Sequence, residues 1–123
     1  IAEATLKEGT LDDGSVINEY YADTGGKDAT LVWWVQAEAM VGFYNAYQLS
    51  GEIRYRETAE KCWRYIQSHL VDPNGGEWFW QINADGSANR EQDKAGFWKC
   101  PYHNTRALLE MIKRIGPPSA PPK

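Results

Sequence analysis

At 123 residues the chain is long enough for one domain's worth of core and no more. A formal net charge of -4 argues against nucleic acid or an anionic membrane surface as a partner. No apolar run approaches the length of a bilayer span and no basic-then-apolar leader is present, so a cytoplasmic protein is expected. Cys62 and Cys100 lack a CxxC spacing, and the two histidines do not complete a zinc set, so free thiols and no metal are expected. Six tryptophans and seven tyrosines are the oddity. They are core filling, or stacking surface for the C–H faces of sugar rings.

Residues 1–8 read as the last turns of a helix, stopped by Gly9. IAEATLKEG has no initiator Met and resembles a helix already under way, so the start is expected to be a cut, natural or made. Residues 10–30, with DDG and ADTGGKD, read as a loop holding a short hairpin. Loops beyond about 12–15 residues are uncommon in compact domains and tend to be functional or disordered.

Residues 31–50 read as a helix stopped at Gly51. Val32, Trp33, Val35, Ala37, Ala39, Met40, Phe43, Tyr44 and Ala46 go almost all the way round it, which predicts burial on every face. Residues 53–70 predict a one-sided outer helix, with Ala59, Cys62, Trp63, Ile66 and Leu70 inward. The short turn LSGE joins the two as an αα-hairpin. In VDPNGGEWFWQINADGS, DPNGG breaks the helix, EWFWQI has strand propensity and NADG reverses it. Strand alternation would put Trp78 and Trp80 on one side and Phe79 on the other, as a cleft rim or as packing onto the helices. Residues 102–115 predict a further inner helix, with Pro101 suited to its start. GPPSAPPK, 116–123, is expected to be a flexible tail.

The chemistry gathers in GFWKCPYHNTR, 96–106. His103 falls in the first turn of its helix, where the positive end of the dipole disfavours a second positive charge. Neutral imidazole is the proton-accepting form, so a general base is one reading and a hydrogen-bonded packing residue the other. Trp98 precedes it on the entering loop and Arg106 follows one turn later, so an aromatic wall, a base and a cation converge on one helix end. On the earlier inner helix Trp34 and Glu38 are one turn apart on the same face. A carboxylate on an apolar helix is costly unless it is paired or faces a cavity. Glu38 therefore either holds a substrate hydroxyl in a wet pocket or pairs with an arginine such as Arg106. Trp34 is a sugar platform or core, Trp33 is core, and His69 is structural at a helix C-terminus. Trp34 and Trp98 are 64 residues apart at equivalent entries to helices, a period that fits repeated helix pairs with elaborated loops on one rim.

KAGFWKCPYHNTRALLE resembles the C-terminal signature of the N-acylglucosamine 2-epimerase family, its cellobiose 2-epimerase branch above all. WWVQAEAMVGFYNAYQLSG and GEWFWQINADGS resemble two further stretches of that branch. The resemblance implies an all-α fold: residues 1–115 as the C-terminal portion of an (α/α)6 barrel, with a small β-hairpin in a loop. It implies inversion of C2 of a reducing-end mono- or disaccharide through a cis-enediol, with two histidines sharing the proton transfers and no metal or organic cofactor. His103 matches the second histidine of that pair, Trp34 and Trp98 match aromatics lining the sugar site, Glu38 matches an active-site carboxylate, and Arg106 is adjacent. The partner histidine and an anion-binding arginine belong to parts of the family's sequence absent here. The chain alone is therefore expected to be inactive, with exposed inner helices covered in a homo-oligomer or by more of a longer chain. A carbohydrate-binding or interaction module, and an (α/α)-barrel glycoside hydrolase using Glu38 or a loop Asp, are the competing readings.

Overall fold

A computed structural model describes residues 1–116; the tail expected over 116–123 lies, from Pro117 onward, outside the described residues. Its element order is a short helix α1 (Ala2–Ala4) running into a π-helical turn (Thr5–Gly9), then β1 (Glu19–Tyr21) and β2 (Gly26–Asp28). There follow β3 (Leu31–Val32), α2 (Trp33–Ser50), α3 (Ile53–Tyr65) with a π-helical turn (Ile66–Leu70), β4 (Gln81–Ile82) and α4 (Tyr102–Ile115). None of the described helices is long and apolar enough to cross a membrane.

The helix-breaking residues act where the sequence places them. Gly51 closes α2 in the left-handed region at φ 75°, its N–H reaching the Tyr47 carbonyl, a conformation that side chains with a Cβ resist. α3 then folds back along α2, and Ala37, Met40, Cys62, Ile66 and Leu70 meet in the main core. Gly14, at φ 87°, lets the preceding loop lie directly on α3, where a Cβ would stand 2.6 Å from the Cys62 backbone nitrogen. The loop is tied to α2 by Gln36, whose buried side chain accepts the Val16 N–H at 2.8 Å and donates to the Val16 carbonyl at 2.6 Å.

Three expectations are corrected. Residues 31 and 32 are not helical: β3 pairs antiparallel with β4, Leu31 opposite Ile82 and Val32 opposite Gln81. EWFWQI is not a continuous strand either. Only Gln81–Ile82 belongs to one, and Trp78 makes an isolated bridge to Val71. Without a regular pleat the two-sided alternation fails, and Trp78 and Phe79 are both buried. Finally, α2 is not buried on every face. Trp34 is 42 % exposed and Leu49 is exposed too. Its apolar circumference says that partners are required on all sides, and α3, α4, β3 and α1 supply only some of them.

The expected hairpin within 10–30 forms as β1 and β2, with Tyr20 opposite Lys27. NADG turns the chain as expected: Asn83 N–H bonds the Ser87 carbonyl at 2.8 Å and Ile82 bridges to Ala88.

Candidate active site

α2 and α4 lie side by side, and the first turns of each carry the chemistry. Pro101 caps α4 at φ −71°, and its carbonyl accepts the Thr105 N–H at 2.9 Å. The helix thus opens with His103 and Arg106 one turn apart on the side that meets α2. Glu38, one turn into α2, is the point at which they join. His103 Nδ1 lies 2.9 Å from Glu38 Oε1. Arg106 Nη2 donates to both Glu38 oxygens.

Burial pushes the Glu38 carboxyl up, but hydrogen bonds from Arg106 and His103 outweigh that and hold it below the usual carboxylate range. Glu38 is therefore a carboxylate, which can only accept. The contact therefore requires a proton on His103 Nδ1, which donates to Glu38. Arg106, in turn, is driven further into its charged form, first by the hydrogen bond to Glu38. The cluster is half open to water, with about a third of each side chain exposed, 34% for both His103 and Glu38.

Aromatic rings frame the imidazole. The Trp34 ring is centred 5.8 Å away and tilted, Tyr102 stands edge-on at 5.0 Å, and Trp33 lies behind at 6.4 Å. Trp34 and Glu38 also wall a groove of about 820 Å³ that runs along α2 past Gly42 and Asn45 and beneath Tyr20 of the β1 hairpin. Glu38 is thus paired with Arg106, as one of its two readings expected, and it also borders the groove.

Trp33 is buried, as expected, and His69 stacks on Tyr65 at 4.2 Å at the end of α3. Trp98 is less closely integrated. It is 81 % exposed, and its ring packs edge-on to Phe97. Trp34, Glu38, His103 and Arg106 are brought together; Trp98 stands on the adjoining loop. Sequence reasoning overlooked a second polar cluster behind that loop, made by Glu77, Lys99 and Asn104. A lysine amid FWKCP carries no spacing signal, and only the fold reveals that Lys99 is buried. Among the described residues no group of three or more His, Cys, Asp or Glu stands together to hold a metal.

A carboxylate that borders a groove beside an indole, and is joined there to an imidazole and a guanidinium, is the kind of site that handles polar, ring-shaped molecules. The sequence profile of the N-acylglucosamine 2-epimerase family matches residues 1–107, and the chain belongs to that family. It is 48% identical over 109 residues to a cellobiose 2-epimerase of Bacteroides fragilis, covering 89% of this chain and 28% of that protein. The cellobiose 2-epimerase structure from Bacillus thermoamylovorans superposes with a TM-score of 0.84 at 44% identity, over 92% of this chain and 29% of that one. That from Spirochaeta thermophila gives 0.78 at 50% identity, over 93% and 27%. The chain therefore spans less than a third of the length of the relatives it matches. Its membership makes it part of an isomerase family of carbohydrate epimerases.

Proposed function

We propose that this chain supplies one proton-transferring histidine and part of the sugar cradle of a 2-epimerase acting on a reducing-end aldose of the cellobiose type. In this reading it is part of an (α/α)6 barrel. His103 Nε2 takes the proton from C2 of the open-chain sugar, the C–H electron pair becomes the C1=C2 bond and the carbonyl π pair moves onto O1, giving a cis-enediolate. A second acid returns a proton to the opposite face of C2, and the C2 configuration is inverted. Glu38 holds the imidazole by Nδ1 and balances the charge it acquires; Arg106 keeps Glu38 ionised and fixed. Trp34 and Trp98 offer flat faces to the sugar.

The observation that carries this reading is the His103–Glu38 hydrogen bond beside the Trp34 ring, at the edge of an open groove. It also weighs against a glycoside hydrolase built on Glu38. A carboxyl group held low and engaged by two donors is poorly placed to act as a proton-donating acid.

One imidazole cannot serve both faces of a planar enediol, and the sequence's second histidine, His69, is occupied by Ser68 and Tyr65. In our reading the returning acid comes from outside this chain, which alone does not turn over. The exposed apolar residues of α4, Leu109, Ile112 and Ile115, and the open face of α2 are covered in the working protein. The cover is either more polypeptide or a second copy.

The test is a chimera in which this chain replaces the matching stretch of the Bacteroides fragilis enzyme. In heavy water it should incorporate deuterium at C2 of cellobiose, and His103→Ala should slow that by about 10³-fold. Cellobiose binding with no exchange would instead favour a carbohydrate-binding module. Exchange that survives His103→Ala unchanged would remove the histidine from the mechanism.

A further inference from the structure

Behind the loop that leads into α4 sits a lysine that stability does not explain. Lys99 is 1 % exposed, and its ammonium lies 5.4 Å from the Trp33 ring centre. Taking a charge out of water is costly, and a methionine could fill much the same space without that cost. Burial accordingly pushes its ammonium down, although the Glu77 charge opposes this. What a methionine could not supply is the set of connections. Lys99 Nζ donates to the Lys94 carbonyl at 2.6 Å and approaches Glu77 Oε1 at 3.5 Å. Glu77 Oε1 also accepts from Asn104 Nδ2 at 2.8 Å and from the Trp78 N–H at 2.7 Å.

These bonds tie two pieces of the site to one carboxylate. On one side, the Gly96 N–H reaches the Lys99 carbonyl at 2.7 Å and closes a turn whose tip is Phe97 and Trp98. Holding Lys99 therefore holds the Trp98 indole, which is 81 % exposed and packs edge-on to Phe97. On the other side, Asn104 is buried in the first turn of α4 and follows His103 directly. We propose that Lys99 and Glu77 form a positioning pair that holds the Trp98 platform and the His103 imidazole in register with each other. The pair touches neither sugar nor reacting atoms. The inference rests on the roles given to Trp98 and His103 under the proposed function.

The two arms of the pair make different predictions in the same chimera. Lys99→Met frees the turn but leaves Asn104 on Glu77, so it should raise KM for cellobiose about 10-fold with kcat within about 2-fold. Asn104→Ala frees the start of α4 but leaves the turn, so it should lower kcat about 10-fold with KM within about 2-fold. Glu77→Gln keeps an acceptor for Asn104 and loses only the charge, so it should resemble Lys99→Met and stands in for it if that variant does not fold. Hydrogen exchange at the Gly96 amide adds a readout independent of activity: protection should fall in Lys99→Met and Glu77→Gln and persist in Asn104→Ala. The positioning role is overturned if kcat and KM worsen together in all three variants in step with thermal stability. It is equally overturned if Gly96 stays protected in Lys99→Met. A chimera that loses no exchange on His103→Ala would sink the proposed function instead, while Gly96 protection would still report on the anchor.

Discussion

Glu38→Gln puts the proposed mechanism under the most direct strain. The glutamate accepts from two donors at once, His103 Nδ1–H and Arg106 Nη2–H. A glutamine has the same shape but one accepting oxygen, and its NH₂ would face one of those donors. If the arginine keeps the oxygen, the imidazole loses the partner that selects its tautomer. A charge-assisted hydrogen bond shielded from water contributes about 1.5–3 kcal/mol. Here about a third of each side chain is wet, 34% for both partners, so the figure is cut to about 1–2 kcal/mol. At about 1.4 kcal/mol per factor of ten, the exchange rate at C2 should fall roughly 5- to 30-fold.

The stability of the same variant should barely move, because a half-exposed ion pair contributes about 1 kcal/mol or less. The measurement is deuterium uptake at C2 of cellobiose by the chimera, beside its thermal midpoint. Hydrogen bonding holds Glu38 below its ordinary value of 4.5 despite burial, so the link is complete above that value and is lost only as pH falls through the lowered one. The comparison is therefore made near neutrality, where Glu38 is ionised. If exchange stays within twofold, or falls only as far as the thermal midpoint predicts, the carboxylate does not direct the imidazole.

Other consequences concern the scaffold and can be measured in the same protein. Gly14→Ala drives a Cβ to 2.4 Å from the Lys61 Cβ at φ +87°, whereas Gly25→Ala, at φ +70°, meets nothing. The first should cost about 3 kcal/mol or more and the second about 1, so equal shifts in denaturant midpoint would contradict the close approach. Asp72 is lowered to about 2, chiefly by the Lys94 ammonium and then by the Asn74 N–H. Its contribution is complete above the ordinary 3.8 and disappears as pH falls through about 2. Lys94→Met should thus destabilise at neutral pH, with the deficit shrinking over that acid range; a deficit that is constant with pH would exclude the ion pair. Burial pushes the Cys62 thiol up to about 12, while Cys100 is exposed. A brief iodoacetamide pulse followed by peptide mass mapping should label Cys100 and spare Cys62, and labelling of Cys62 in the native protein would show that α3 opens readily.

Much of the fold was legible because it is local. Gly51 stops α2, LSGE turns the chain, α3 shows a one-sided stripe and Pro101 opens α4; each is a message carried within a few residues. What escaped was set by distance along the chain. Leu31 and Val32 look helical beside WWVQAEAM, yet they pair with Ile82 and Gln81, some fifty residues on. Upstream of that ladder the segment is held to the end of α3 instead, Trp78 bridging to Val71 and the Phe79 N–H reaching the Leu70 carbonyl, and Trp78 and Phe79 are both buried. The all-round apolar character of α2 was correctly read but wrongly converted into burial. A helix's own residues state what kind of surface it needs and not whether the neighbours that would cover it are present.

The site divides along the same line. Glu38 stood out because a charge on an apolar helix must be answered, and the candidate answer, Arg106, proved to be the one made. The sequence posed pairing and substrate contact as alternatives, and the pairing is the one the structure contains. The arginine keeps Glu38 ionised, and under the proposed function that charge serves the imidazole at its far nitrogen. Lys99 offered no such clue. Its neighbours are aromatic, a basic residue on a loop is ordinarily solvated, and its partner Glu77 lies 22 residues away on a hairpin whose path was misjudged. A buried charge is visible in sequence only when its surroundings are regular enough to show that it should not be there. Irregular loops remove that contrast, so the supports of a site are harder to read than the groups that act in it.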